Sequence, residues 1–235
     1  ELAASAQIRN MASLGGNVLQ RTRCTYFRDT SYGACNKREP GSGCAAIEGI
    51  NRSHAVLGTS ASCIASYPGD FAQALIALDA EVELAGPRGS RRIHFAELHR
   101  PLGQTPHVET ILELGELILA FMVPPAPWAK RSLYLKVRDR QSYEFALASA
   151  AVALDIDGGT VREARIALGG VSALPWRAHE AEQKLRGRKP DDDTFNEAAS
   201  IAFAAAKPRQ HNAFKVQLGK LTLVRALRQA ATMEL

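Results

Sequence analysis

The sequence predicts an α+β chain in two parts, and three observations carry that prediction. Two hairpin patterns, each with turn residues between apolar runs, point to antiparallel sheet. In the C-terminal half about three strands are followed by three helical patterns, an antiparallel sheet backed by helices. Between the parts lies Pro124-Pro125-Ala126-Pro127-Trp128, whose prolines end any regular element. The expected division is residues 1–128 and 129–235.

Residues 1–20 read as a short helix running into a glycine turn, with Gly15-Gly16-Asn17 ending it. Residues 21–63 have little apolar periodicity and are rich in Gly, Arg, Ser, Asn and Cys. A loop of that length in a compact domain needs something other than a core to hold it. Asp70 is placed to cap a helix carrying Phe71, Ala74, Leu75 and Leu78. Residues 80–85 alternate as a strand, Gly86-Pro87-Arg88-Gly89 turns the chain, and residues 91–95 return. Residues 116–123 form another strand, stopped by Pro124. Beyond the break, strands are expected at 132–137, 146–156 and 161–168, the last two joined by Asp157-Gly158-Gly159. Helices are expected at 177–185, 193–206 and 212–231.

Composition narrows the function. With 46% hydrophobic and 23% charged residues, the 235-residue chain has the means to build a real core. It has no apolar stretch long enough for a transmembrane helix and no signal-peptide pattern, and it opens at Glu1 in what reads as mid-domain sequence. The net charge of +5 is scattered and not interleaved with aromatics, which argues against nucleic acid as a partner. Neither a G-x-G-x-x-G nor a P-loop string is present.

Two features carry chemistry. The first is Ala12-Ser13-Leu14-Gly15-Gly16-Asn17. Two glycines let backbone approach a ligand closely, and nearby N–H groups, the Ser13 hydroxyl and the Asn17 amide suit a pyrophosphate. The bland alternative is a helix C-cap. The second feature is the set Cys24, Cys35, Cys44 and Cys63, all within the one segment that lacks a core. Their spacing matches neither a zinc knuckle nor a bacterial ferredoxin. Free thiols, two disulfides and four ligands of one metal centre all stay open on spacing alone.

The string Gln7-Ile8-Arg9-Asn10-Met11-Ala12-Ser13-Leu14-Gly15-Gly16-Asn17-Val18 resembles the second flavin-binding segment of the FAD subunit of molybdenum hydroxylases. That family includes xanthine dehydrogenase, carbon monoxide dehydrogenase and bacterial aldehyde oxidoreductases. The resemblance implies that residues 1–128 are the second part of a non-Rossmann FAD-binding domain and that residues 129–235 are its C-terminal α+β partner. It assigns Ile8, Ala12, Ser13, Gly15, Gly16 and Asn17 to the cofactor. Asp70, in Tyr67-Pro68-Gly69-Asp70, matches an aspartate that contacts FAD, with Gly69 where the family has serine. Ile118 matches an aliphatic residue near the isoalloxazine. Lys136 matches a lysine near the flavin pyrimidine, where positive charge favours the reduced ring. The family's glycine-rich first FAD segment is not in this sequence.

The strings Arg23-Cys24, Cys35-Asn36-Lys37-Arg38, Gly41-Ser42-Gly43-Cys44 and Thr59-Ser60-Ala61-Ser62-Cys63 resemble a subgroup of bacterial aldehyde oxidoreductases. There the insertion carries a [4Fe-4S] cluster, with Arg28, Lys37 and Arg38 here placed to offset its charge. The implied enzyme passes electrons from a molybdenum cofactor on one partner subunit, through [2Fe-2S] clusters on another, to FAD and an external acceptor. By resemblance it is bacterial, soluble, and either periplasmic, exported with a partner, or cytoplasmic. The rival reading is a non-catalytic assembly subunit with zinc-bound or disulfide-bonded cysteines. The six histidines show no ligand spacing and read as structural or surface.

Overall fold

A computed structural model describes residues 3–234, so the reading of Glu1 as mid-domain sequence lies outside the described residues. Two short helices open the chain, α1 (Ala6–Met11) and α2 (Leu14–Val18). Each is capped by a serine: Ser5 Oγ accepts from the Ile8 N–H at 3.3 Å, and Ser13 Oγ accepts from the Gly16 N–H at 3.0 Å. This corrects the expected glycine turn. Gly15-Gly16-Asn17 does not end α1 but lies inside α2, because extended Ser13 breaks the chain before it and starts a new helix.

The cysteine-bearing segment contains one helical turn, α3 (Thr25–Arg28). Next come α4 (Phe71–Ala77), the hairpin β1 (Glu81–Gly86) and β2 (Gly89–His94), α5 (Phe95–Leu98) and β3 (Leu117–Met122). These strands make a sheet of order β2-β1-β3. Val82 and Leu84 of β1 are fully buried, as the alternation predicts. The second sheet contains β4 (Arg131–Val137), β5 (Ala148–Asp157), β6 (Thr160–Gly169) and β7 (Trp176–Arg177) in sequential antiparallel order. The fourth strand was not expected; it is two residues long, too short to leave an alternation pattern. Gly158 and Gly159 join β5 to β6 with φ of 53° and 76°, as a turn with left-handed central residues requires.

Helices α6 (His179–Leu185), α7 (Asp192–Ala202) and α8 (Phe214–Ala231) complete the chain. They pack on one face of the second sheet, while α4 packs on the other. Sandwiched this way, β5 is buried on both faces, which is why its sequence runs apolar instead of alternating. Arg177 fastens the arrangement. It pairs with the buried Glu182 and, at 2.8 Å, with Asp79 beyond the end of α4.

Gly219 sits in the middle of α8, where a Cβ would overlap the buried ring of Phe203. Alanine is favoured over glycine in helices by about 1 kcal/mol. Overpacking a filled core costs about 1–3 kcal/mol. The clash should win, so Gly219→Ala is expected to lower stability in urea unfolding despite the better helix former.

Candidate functional site

A cavity of about 610 Å³ lies where α1, α2, the start of α4 and β4 meet. That volume is typical of small-molecule sites. Seven of the nine residues expected to touch a cofactor line it: Ile8, Ala12, Ser13, Gly16, Asn17, Asp70 and Lys136. The other two lie behind that wall. Gly15 faces Ile118 of β3, where a Cβ would make an ordinary contact at 3.5 Å, and Ile118 packs against the core of the first sheet.

Ser13 is extended and exposed, and its Oγ already accepts the Gly16 N–H. The Gly16 N–H is therefore committed, contrary to the expectation of a free donor there. The Ser13 hydroxyl keeps its own proton and can donate it. Asn17 Oδ1 is buried with no hydrogen-bond partner among the described residues. An unsatisfied buried amide oxygen costs free energy, and a ligand N–H or O–H in the cavity would supply the missing bond.

Asp70 behaves differently from expectation. Its side chain makes no cap bond to α4. Instead Oδ1 accepts from Tyr134 OH at 2.6 Å and Oδ2 from Lys136 Nζ at 2.7 Å, both from β4. The carboxylate is drawn away from the helix by a buried ammonium and a buried phenol. The Lys136 side chain is only 1% exposed. Burial, then the Asp70 charge, pushes the Tyr134 phenol well above its ordinary value, so it stays a hydrogen-bond donor. The residue 138–147 connection closes the cavity's rim, with Arg140, Tyr143 and Phe145 in its lining. Arg23 reaches in from the cysteine segment with its guanidinium 5.0 Å from the Phe145 ring centre. Neither Arg23 nor the rim was foreseen; they belong to loops with no periodicity to read.

The cysteines meet at a second, narrow cavity that Cys24, Cys35, Cys44 and Cys63 all line. All four are free thiols. Cys35 and Cys44 face each other across an isolated antiparallel bridge. Cys44 and Cys63 lie close enough for their titrations to be linked, and backbone N–H groups of Ala46, Ile64 and Ile47 favour charge on the Cys44 sulfur. Together they draw the Cys44 thiol down, while its neighbour Cys63, also buried, is pushed up. Burial pushes Cys24 up to about 11 against N–H groups of Phe27 and Tyr26. The described residues include no group of three or more His, Cys, Asp or Glu side chains arranged to hold one metal ion.

The segment is not without a core, as its composition suggested. Cys24, Ala46, Cys63, Ile64 and Ala65 form a small cluster with Leu102, and Val56 and Leu57 plug into the main core of the C-terminal part. The expected charge offset is also narrower. Arg38 donates to the carbonyls of Tyr26 and Phe27, both at 3.0 Å, and Arg28 donates to the carbonyl of Thr22 at 3.0 Å, so both brace the loop. Lys37 is the cation whose charge favours the Cys63 thiolate, and it is itself anchored to the Pro106 carbonyl at 2.9 Å and to Glu109 at 3.3 Å. His54, expected to be structural or at the surface, is buried with Nε2 3.1 Å from Cys24 Sγ.

Residues 1–126 match the family described as the FAD binding domain in molybdopterin dehydrogenase, and residues 133–230 match the CO dehydrogenase flavoprotein C-terminal domain. The chain is 49% identical over 229 residues to the aldehyde oxidoreductase FAD-binding subunit of Escherichia coli, covering 97% of this chain and 68% of that one. It is 30% identical over 168 residues to the carbon monoxide dehydrogenase medium chain of Afipia carboxidovorans, covering 69% of this chain and 56% of that one. A Cu,Mo-CO dehydrogenase structure superposes with a TM-score of 0.68 at 24% identity, covering 97% of this chain and 64% of that chain, a likeness of fold. The chain thus spans about two thirds of the first relative and little more than half of the second.

Asp70→Ala should act through Lys136 and not through a helix cap. Removing one partner of a buried ion pair costs about 3–5 kcal/mol, against about 1 kcal/mol for a lost cap. Denaturant unfolding is expected to show the larger loss; a loss near 1 kcal/mol would return Asp70 to the role of a cap.

Proposed function

The chain belongs to the FAD-binding subunits of the molybdenum hydroxylases, and we propose that it carries FAD and transfers electrons within a molybdenum-containing aldehyde oxidoreductase. The observation that carries this reading is the unsatisfied Asn17 Oδ1 in the wall of a ligand-sized cavity. Ser13 supplies a hydroxyl proton to a phosphate oxygen there, and Gly16 lets the ligand approach where a side chain would stand. Across the cavity, Lys136 brings an ammonium whose charge Asp70 offsets. The pair therefore shapes that wall of the site and adds little net positive charge to it. Ile8 and Ala12 give the wall its apolar surface, while Gly15 and Ile118 lie behind it, where α2 meets β3. FAD, when bound, supplies the ability to accept electron pairs and release them singly. The chain contributes binding, orientation and exclusion of water.

The proposal divides the chain into residues 1–128, the second part of the FAD-binding domain, and residues 129–235. It extends to the cysteines. Four sulfurs line one cavity, and backbone N–H groups are aimed at three of them, an environment that suits a thiolate-ligated [4Fe-4S] cluster held by Cys24, Cys35, Cys44 and Cys63. The oxidation itself belongs to a molybdenum cofactor on a partner subunit, with [2Fe-2S] clusters on another and an external acceptor after FAD.

Two substitutions test the two cofactors separately. A Cβ at Gly16 would already lie 3.0 Å from Ser13 Oγ, so Gly16→Val should displace the serine and cut flavin content in the assembled enzyme severalfold. Full flavin content in the folded variant would remove the glycines from the site. Cys35→Ser should lose about four irons per chain and the associated brown absorbance, as expected for a cluster with four thiolate ligands. Unchanged iron with one newly titratable thiol would favour a disulfide instead.

A further inference from the structure

Resting on the four-cysteine reading, we propose that His54 is a hydrogen-bond donor to the Cys24 sulfur and sets the reduction potential of the centre that sulfur ligates. The contact is 3.1 Å from Nε2 to Sγ between two buried side chains. A ligating thiolate has no proton, so the proton between the two atoms is the imidazole's. The other ring nitrogen, Nδ1, is buried without a hydrogen-bond partner among the described residues. The ring's one hydrogen bond is to that sulfur, while the Asn51 backbone and the Lys215 charge act on it from the other side.

The placement is enforced from outside the cysteine segment. Lys215, in the first turn of α8 and fully buried, points its ammonium at three carbonyls: Gly170 at 2.7 Å, Ser53 at 3.1 Å and His54 at 3.2 Å. Three N–H donors meet three acceptors, and two of the acceptors are the backbone at His54 itself. Asn212 adds bonds from Nδ2 to the carbonyls of Ala55 at 3.1 Å and His54 at 3.4 Å. On the other side, buried Asn51 takes the His54 N–H on its carbonyl at 3.0 Å and ties its own amide to the carbonyl of Ala46 at 3.1 Å. These bonds hold the main chain on both sides of His54 and so fix where its ring can reach.

A hydrogen bond to a ligand sulfur stabilises the reduced, more negative centre over the oxidised one and so raises its potential. Its loss must make the centre harder to reduce. The test is an EPR-monitored redox titration of the anaerobically purified, assembled enzyme, with iron analysis of each sample. His54→Ala is expected to keep its iron and lower the reduction equilibrium constant at least tenfold, about 59 mV for one electron. His54→Gln, which offers an amide N–H in place of the imidazole, is expected to recover most of that loss. Iron retained in His54→Ala with a wild-type midpoint would overturn the inference and leave the cluster standing. Wild-type enzyme with no iron beyond that of its partners would overturn the cluster reading and this inference together. Where His54→Ala does not hold iron, His54→Gln decides: iron retained at a near wild-type midpoint supports the bond, and iron lost or a midpoint lowered tenfold overturns it.

Discussion

The contact between Asp70 and Lys136 ties the two halves of the chain across the cavity. One residue precedes α4 and the other belongs to β4, and their side chains meet at 2.7 Å with Lys136 almost wholly buried. Burying either charge alone costs several kcal/mol, so a displacement of β4 relative to α4 that separated them would be strongly opposed. Tyr134, two residues earlier on the same face of β4, adds its hydroxyl to the same carboxylate. With α4 and β4 held together, the remaining walls follow. Tyr67 OH donates to the Val18 carbonyl at 2.8 Å and fixes the end of α2 against the same region. On its other side α2 lies against β3, with Gly15 facing Ile118.

The cysteine segment solves a different problem. It has almost no regular structure, so its backbone groups cannot be satisfied by ladders or helical turns. Side chains do that work instead. Asn36 Oδ1 accepts from the N–H groups of Gly41 and Gly43 at 3.0 and 2.9 Å, and Arg38 and Arg28 cover carbonyls. From outside, Lys215 and Asn212 cover those of residues 53–55. Hydrophobic burial enters at two places: the small cluster around Cys24, Ala46 and Cys63, and Val56 and Leu57, whose N–H groups bond the Val171 carbonyl while their side chains join the main core. The segment is thus ordered by polar contacts, local ones from Asn36, Arg28 and Arg38 and distant ones from Lys215 and Asn212, together with those two patches of burial.

This division explains what was legible in the sequence. Strands β1, β2, β3, β5 and β6 and the three C-terminal helices were readable because each buries one face or a whole run in a core, and burial leaves periodicity behind. The cofactor-facing residues were readable as a string, Ser13 to Asn17, although the helix they start was mistaken for the end of another. Capping chemistry points both ways around two glycines, and only the extended Ser13 backbone decides it. Of the two roles read for Asp70 the cap fails, because a cap is a local pattern, whereas Lys136 and Tyr134 are more than 60 residues away. His54 and Lys215 were invisible for the same reason: neither has a partner within its own local pattern, and their meaning lies in contacts 30 and 161 residues distant.

Arg23 and Cys24 show how closely the two candidate sites are joined. Arg23 lines the large cavity and Cys24 lines the thiol cavity. Consecutive residues are about 3.8 Å apart at Cα, so the shared wall is one peptide thick at this point. A third cavity, about 250 Å³, is lined by both residues together with His54 and Phe145. Arg28 braces the wall by holding the carbonyls of Arg21 and Thr22 at 3.3 and 3.0 Å. Any shift of Cys24 must therefore move Arg23, and with it the guanidinium that covers Phe145 at the rim. Two sites built from different chemistry, one from a capped glycine helix and one from soft thiols, are in this way made mechanically dependent on a single stretch of backbone.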